Sequence, residues 1–369
     1  MSTVLPPLDA IPPGVVAVDD YLPYARQRMS AQAWAYFNGA AADESTLQDN
    51  LAAFRRTRLQ GRVLRDMGGG DTRLTLLGQV LEHPILLAPV AYQKLAHPAG
   101  ELATALAASA MRTPMVLSTQ ASTSLEDVAR NAQAPLWFQL YVQPDRAYTE
   151  ALVRRAEAAG YRALVVTVDA PVNGLRNQEQ RAGFQLPPGV EAVNLRGMQV
   201  QIPHQASAGE NPLLGSPLLA AAPTWRDIEW LCSLTSLPVL LKGITAPADA
   251  LRAHEAGAAG VVVSNHGGRT LDTLPATLDL LPAIVTALAG RMPVLMDGGI
   301  RRGTDILKAL ALGADAVLVG RPYINALATA GAAGVAHVLH LLRAELEVAM
   351  VLSGCRNLDE IDESVIWRG

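Results

Sequence analysis

The sequence GVVVSNHGGR at residues 260–269 joins an apolar run to a polar turn that contains two glycines. The apolar run has the length and the β-branched content of a strand that is buried on both faces. In the turn, His266 can accept a proton near neutral pH, and Arg269 can hold a planar carboxylate through two parallel hydrogen bonds. A surface turn between a strand and a helix is the plainer interpretation, so the neighbouring segments decide between the two.

Other short apolar runs have the same form, and helical patterns separate many of them. Strands that alternate with helices predict a parallel sheet, and eight such strands close into a (β/α)8 TIM barrel. The alternative is an open doubly wound sheet, but the G-x-G-x-x-G turn typical of that fold does not follow the first run. The other runs lie at 85–88, 115–117, 136–140, 163–168, 239–241, 294–296 and 316–319, and helical patterns lie at 101–112, 147–159, 248–256 and 304–312.

Two regions depart from this alternation. Prolines interrupt residues 1–30, which predicts a loose arm, and helical patterns follow at 31–38 and 45–56. We therefore divide the chain into an arm with a helical extension at 1–83 and a barrel at 84–369. The interval 184–224 is rich in Pro, Gly, Gln and Ser, which predicts a long loop after the fourth strand that acts as a lid.

The composition excludes several classes of protein. A formal net charge of −4 gives no electrostatic reason to expect nucleic acid or an anionic membrane as a partner. The uncharged stretch 322–342 is long enough to cross a bilayer, but its glycines and histidines favour a strand-end loop followed by a helix packed in the core. Cys232 and Cys355 suggest no disulfide framework, and no secretion signal is recognisable, so we expect a cytoplasmic protein.

Polar or otherwise distinctive residues end or follow nearly every predicted strand. In a parallel barrel the chemistry lies at the carboxyl ends of the strands. One such residue would be a cap or a turn, but sets of them around one rim predict a site. They are Ala91, Ser118, Gln139, Tyr141, Thr167, Asp169, Lys242, Ser264, His266, Asp297, Gly320 and Arg321.

The last two strands carry a second signal. DGGIRRG at 297–303 and GRP at 320–322 combine glycines, which allow close backbone approach, with arginines. Loops after the seventh and eighth strands of such barrels often bind phosphate. The sequence therefore favours a phosphate site here over ordinary turn chemistry at the start of a helix.

Two further residues leave their roles open at this point. Lys242 could form a Schiff base, join an ion pair or stabilise negative charge on a cofactor ring. Asp169 could partner His266 and stabilise its imidazolium form, or simply end its strand. The histidines, cysteines and carboxylates show no spacing typical of a metal site, so we expect no metal.

Taken together, these motifs resemble the FMN-dependent family that oxidises 2-hydroxy acids, which includes glycolate oxidase, lactate oxidase and mandelate dehydrogenase. The resemblance extends over about residues 36–361. Its strongest blocks are at 88–91, 138–141, 167–169, 241–243, 264–269, 297–302 and 320–322.

The resemblance implies a role for each matching residue. On the substrate side, His266 would take a proton from the substrate during oxidation, and Asp169 would hold the His266 side chain in place. Tyr141 would contact the reacting hydroxyl, and the carboxylate would be bound by Tyr36, Arg176 and Arg269. On the cofactor side, Lys242 would stabilise the reduced flavin and Asp297 would bind the ribityl chain. The ring would contact Ser118, Gln139, Thr167, Ser264 and the Ala91 backbone, and the phosphate would contact Gly299, Arg301, Gly320 and Arg321.

The activity implied by the resemblance is oxidation of an L-2-hydroxy acid similar to lactate or glycolate, with O2 reduced to H2O2, by a tetramer or octamer. Ala91 favours an oxidase over a dehydrogenase that passes electrons to a quinone. Because of Tyr92, a mandelate-type substrate remains an alternative to lactate or glycolate. Outside this class, the alternatives are a phosphate-binding barrel that uses Lys242 as a lyase and a non-catalytic flavin binder.

Overall fold

Eight parallel strands close into a barrel in the computed structural model, which describes residues 4–198, 211, 213–214 and 216–368. The TIM-barrel prediction is confirmed. A short antiparallel hairpin of β1 (Leu74–Leu76) and β2 (Gln79–Leu81) precedes the barrel. The barrel strands are β3 (Ile85–Leu87), β4 (Met115–Ser118), β5 (Leu136–Leu140), β6 (Leu164–Thr167), β7 (Val239–Ile244), β8 (Gly260–Val263), β9 (Val294–Met296) and β10 (Ala316–Val319).

The strands are buried on both faces, and their side chains fall into two apolar clusters. One cluster fills the barrel interior and includes Val116, Trp137 and Val262. The other cluster lies between the strands and the surrounding helices. Leu76 and Leu81 of the hairpin belong to the interior cluster, so the hairpin covers the amino-terminal end of the barrel. Ligands therefore enter from the carboxyl end.

Helices surround the barrel and precede it. Their spacing follows the predicted alternation, with boundaries within a residue or two of the patterns. They are α1 (Tyr21–Arg28), α2 (Ala31–Asn38), α3 (Ser45–Arg56), α4 (Gly100–Ala110), α5 (Leu125–Asn131), α6 (Arg146–Ala158), α7 (Asn177–Arg181), α8 (Pro217–Ala220), α9 (Trp225–Leu234), α10 (Pro247–Glu255), α11 (Thr277–Leu288), α12 (Gly303–Ala311) and α13 (Arg321–Ser353).

The sequence predicted a loop and then a helix within 322–342, but the final helix includes this whole stretch. It begins at Arg321, directly after β10, and its backbone is kinked at Ala330 and Gly331. Gly331 has a φ of +56°, and a Cβ there would lie 3.0 Å from Nε2 of His97. Among the described residues, no helix combines the length and the apolar character that a bilayer crossing needs.

The predicted loose arm is wrong from about residue 15 onward. Val15, Val18, Tyr21 and Ala25 are buried, and the Tyr21 hydroxyl lies 2.8 Å from Nδ1 of His337 on α13. Pro23 lies in the first turn of α1, where a missing N–H costs nothing. Burial against α13 therefore fixes a segment whose prolines alone suggested disorder.

The long connection between β6 and β7 contains the predicted lid. Its first part is held between the extension and the turn after β8: the Ala42 N–H donates to the Leu175 carbonyl at 2.6 Å, and a Cβ on Gly174 would collide with the Thr270 carbonyl oxygen. Residues 199–210, 212 and 215 lie outside the described residues, so covering of the site by 184–224 stays a prediction, as does the domain boundary at residue 83.

Asp272 ties the extension to the barrel. Its carboxylate accepts hydrogen bonds from the backbone N–H groups of Thr46 at 2.8 Å, Asp43 at 3.1 Å and Ser45 at 3.3 Å, at the start of α3. Burial opposes its ionisation, but these hydrogen bonds hold the pKa of Asp272 below its usual value. A carboxylate at this position accepts hydrogen bonds from backbone N–H groups that have no acceptor within the helix.

We expect Asp272→Ala to lower the free energy of unfolding by about 2 kcal/mol at pH 7, because three backbone donors lose their acceptor. Since the folded pKa is depressed, this stabilisation is present above the unfolded pKa of about 4 and is lost as the pH falls through the folded value. Urea unfolding at pH 7 and pH 3 measures both effects. Asp71→Ala, at an exposed turn aspartate, is the control; an equal loss in the two variants would contradict the prediction.

Candidate active site

The alternation of side chains along each barrel strand builds the site. In a strand, residues two apart point to the same face. Polar or small residues lie two positions after interior residues such as Val116, Trp137 and Val165. They therefore form the next layer toward the carboxyl end. This layer consists of Ala88, Ser118, Gln139, Thr167, Lys242, Ser264, Asp297 and Gly320.

A cavity of about 780 Å³ opens above this layer. It brings together most of the residues that the sequence singled out. Asp169 and Ser264 do not line it and instead contact residues that do. The predicted residues on its walls are Tyr36, Ala91, Ser118, Gln139, Tyr141, Thr167, Arg176, Lys242, His266, Arg269, Asp297, Gly299, Arg301, Gly320 and Arg321.

Lys242 and Asp297 form a buried ion pair at the floor. Lys242 Nζ lies 3.1 Å from Asp297 Oδ2 and donates to the Ser264 hydroxyl at 3.0 Å. Burial opposes the charge on Lys242, but the carboxylates of Asp297 and Asp169 hold the pKa of Lys242 above its usual value. A Schiff-base lysine must lose its proton first, so this environment disfavours the lyase alternative.

His266 and Asp169 form the second buried pair. His266 Nδ1 lies 2.9 Å from Asp169 Oδ1, so Nδ1 donates to the carboxylate and Nε2 stays available as an acceptor. Burial lowers the pKa of His266, and Asp169 partly offsets this. Although burial opposes its ionisation, the contact with His266 and the charge of Lys242 hold the pKa of Asp169 below its usual value. The pair is therefore a neutral imidazole beside a carboxylate.

The turn that carries His266 has an unusual backbone. His266, Gly267 and Gly268 all have positive φ, at +56°, +63° and +76°. Asn265 anchors the turn through a reciprocal pair of 2.9 Å hydrogen bonds with Asn50 of α3. A Cβ on Gly268 would lie 2.8 Å from the Leu47 backbone nitrogen, so glycine is required for the turn to pack against α3.

Two arginines form one wall of the cavity together with Glu179. Arg269 donates to the carbonyls of Tyr36 at 2.6 Å and Gly39 at 3.0 Å. Glu179 Oε1 lies 3.2 Å from Arg269 Nη2 and 3.4 Å from Arg176 Nη1. Sequence reasoning missed Glu179, although its position three residues after Arg176 at the start of α7 is a common ion-pair spacing.

Aromatic rings complete this wall. Phe184 stacks on Tyr36 with ring centroids 4.8 Å apart, and Tyr92 lies 6.0 Å from the same ring. Burial raises the pKa values of Tyr36 and Tyr141, so both hydroxyls remain protonated and can donate a hydrogen bond. Phe184 was not among the predicted residues, because nothing local marks it.

A short chain of side-chain hydrogen bonds crosses the floor. Gln139 Oε1 accepts from the Ser118 hydroxyl at 3.2 Å, and Gln139 Nε2 donates to the Thr167 hydroxyl at 3.0 Å. These residues are on three successive strands, so the chain fixes the orientation of the Gln139 amide. Alternating donors and acceptors of this kind suit the polar edge of a heteroaromatic ring.

Arg301 and Arg321 lie at the predicted phosphate side. Arg321 donates to the carbonyls of Phe37, Gly39 and Gly267, at 3.2, 2.9 and 2.9 Å. Burial, together with the charges of Arg269 and Arg301, lowers the pKa of Arg321 to about 9. Burial also lowers the pKa of Arg301, although Asp19 lies 3.2 Å away. Desolvated guanidinium groups of this kind are stabilised by a bound anion.

The cavity fits a phosphorylated flavin. Asp297 Oδ1 is buried and has no hydrogen-bond partner among the described residues, as an acceptor for a ribityl hydroxyl would have. Lys242 supplies the positive charge, Gln139 suits the ring edge, and Arg301 and Arg321 suit a phosphate. Within the described part of the chain, no cluster of three or more His, Cys, Asp or Glu side chains could hold a metal ion.

Comparison with known proteins identifies the family. The model of the FMN-dependent dehydrogenase family matches residues 25–368, and the chain belongs to that family. It is 51% identical to L-lactate oxidase of Nostoc sp., over 94% of this chain and 96% of that protein. It is 48% identical to a peroxisomal (S)-2-hydroxy-acid oxidase of Oryza sativa subsp. japonica, over 95% of each chain.

A solved structure of mandelate oxidase with (S)-2-phenylpropionate superposes with a TM-score of 0.86 at 41% identity, covering 95% of this chain and 98% of that chain. The resemblance stated from the sequence is therefore confirmed, and so is the prediction of FMN as cofactor. The protein is an FMN-dependent oxidoreductase.

We expect Asp297→Ala to weaken FMN binding at least about tenfold, because it removes a buried anionic acceptor. The ratio of flavin to protein absorbance after purification, and titration of the apoprotein with FMN, measure the change. Asp315→Ala removes an aspartate that directly precedes β10, at the amino-terminal end of the barrel, and is the control. Equal flavin affinity in the two variants would exclude the ribityl role of Asp297.

Proposed function

We propose that the protein oxidises a small L-2-hydroxy acid, similar to lactate or glycolate, to the 2-oxo acid while O2 is reduced to H2O2. The observation that carries the proposal is that His266, which is paired with the Asp169 carboxylate, lines the same cavity as Arg176 and Arg269. One group can take a proton while the others hold a carboxylate. The names of the L-lactate oxidase relatives support the same substrate class.

In the proposed mechanism, Arg176 and Arg269 bind the substrate carboxylate and thereby fix the α-carbon in the cavity. Nε2 of His266 accepts a proton from the substrate, and the Asp169 carboxylate stabilises the imidazolium that forms. Tyr141 donates a hydrogen bond to the hydroxyl oxygen. FMN, when bound, supplies a two-electron acceptor that O2 then reoxidises.

Other residues act on the cofactor side of the proposal. Lys242 would supply positive charge beside the ring. Asp297 keeps the Lys242 amine protonated, and its Oδ1 would accept a hydrogen bond from a ribityl hydroxyl. The ring would contact Ala91, Ser118, Gln139, Thr167 and Ser264, and the phosphate would contact Gly299, Arg301, Gly320 and Arg321. A cytoplasmic location and a tetramer or octamer also stay predictions, which fractionation and light scattering measure.

An aromatic substrate is the second candidate. Tyr36, Tyr92 and Phe184 form an apolar aromatic wall that could pack against a phenyl group. The structural similarity to mandelate oxidase supports this candidate. The dehydrogenase alternative keeps the same site and differs only in the electron acceptor.

The visible spectrum of the purified protein tests the proposal. We expect two flavin bands that bleach when L-lactate or glycolate is added without oxygen and return rapidly in air. Bleaching only with (S)-mandelate would favour the aromatic substrate. Slow recovery in air with fast recovery on adding a quinone would identify a dehydrogenase. Bands that no 2-hydroxy acid bleaches would refute the proposal.

We expect Asp169→Asn to lower the plateau of kcat/KM by about 10²–10⁴-fold, because the imidazolium loses its counterion. Neutral His266 is the active form, so activity rises with pH through the pKa of His266, which lies below its usual 6.5. Asp169 raises that pKa, so the variant's rising limb moves to lower pH. Asp315→Asn is the control, and an unchanged plateau in Asp169→Asn would remove Asp169 from the mechanism.

A further inference from the structure

Glu179 bridges the two arginines that the proposed function assigns to the substrate carboxylate. One of its oxygens, Oε1, reaches both arginines of the cavity wall, at 3.2 Å from Arg269 Nη2 and 3.4 Å from Arg176 Nη1. The side chains of Glu179, Arg269 and Arg176 are only 14%, 14% and 17% exposed. The three groups form one partly desolvated charge cluster, in which electrostatic effects exceed those at a surface.

The two arginines keep donors for a ligand despite these contacts. A guanidinium has five N–H groups, and Arg269 uses three of them, on the carbonyls of Tyr36 and Gly39 and on Glu179. Arg176 Nε is buried and has no partner among the described residues. The cluster therefore retains enough donors to bind the carboxylate of one ligand.

Two guanidinium groups and one carboxylate give the cluster a net charge of +1. We propose that Glu179 sets this charge so that the site accepts one carboxylate, which makes it a specificity-determining residue for monocarboxylic over dicarboxylic 2-hydroxy acids. This inference rests on the proposed function, since it assigns the substrate carboxylate to these arginines.

Among the described residues, the further cations of the cavity belong to the cofactor side of the proposed function. The wall beside the arginines consists of Tyr36, Tyr92 and Phe184. Arg321 is next to Arg269, since both donate to the Gly39 carbonyl, but in the proposed function the cofactor phosphate would neutralise Arg321 and Arg301. A second carboxylate would therefore be desolvated without a partner, and Glu179 would repel it.

Binding of propionate and malonate to the FMN-loaded protein tests the proposal, because these three-carbon acids differ by one carboxylate. Each is titrated by the change in visible absorption of the bound flavin. In Glu179→Gln we expect the malonate-to-propionate ratio of Kd values to fall about tenfold, since a dianion gains about twice the electrostatic benefit of a monoanion. Glu179→Asp keeps the charge, and its ratio should stay within about twofold of the original.

Glu191→Gln is the matched control, because it removes the same charge from an exposed ion pair with Arg196. If Glu179→Gln does not fold or retain FMN, Glu179→Ser makes the same charge change with a smaller side chain. The proposal is overturned if the ratio is unchanged, if Glu191→Gln shifts it equally, or if neither acid binds the unaltered protein. A protein that binds both acids with the expected ratios but oxidises no 2-hydroxy acid would instead refute the proposed function alone.

Discussion

A closed barrel of parallel strands has a single carboxyl-terminal rim, and the rest of this structure depends on that constraint. Because side chains alternate along each strand, every interior apolar residue is followed two positions later by a side chain on the same face. Trp137 thus leads to Gln139, and Leu240 leads to Lys242. The amino-terminal hairpin covers the other end, so polar residues from strands far apart in sequence meet around one cavity.

Desolvation then decides which charges can exist at this rim. A buried charge needs a counterion or hydrogen bonds. Lys242 has Asp297, His266 has Asp169, and the arginine pair has Glu179. What these pairs leave unsatisfied defines the ligands: Asp297 Oδ1 lacks a donor, and Arg176 Nε lacks an acceptor among the described residues.

The amino-terminal extension helps to build the cavity. Tyr36 lines the cavity, and carbonyls at the end of α2 and just after it hold Arg269 and Arg321. Asn50 of α3 clamps Asn265, which precedes His266 in the chain. The extension therefore determines the geometry of groups that the barrel strands supply.

The sequence by itself determined the barrel, since continuous apolar runs separated by helical patterns depend only on local periodicity. It also determined the polar strand ends, such as Gln139, Lys242 and Asp297, because strand order alone brings them to one rim. Only the tertiary structure decided which of them touch: the pairing of Arg269 with Glu179, 90 residues apart, and of Asn50 with Asn265, 215 apart, leaves no local trace. The burial of the first helix against α13 is of the same kind, because proline spacing reports the local backbone, whereas a distant surface supplies the free energy that fixes it.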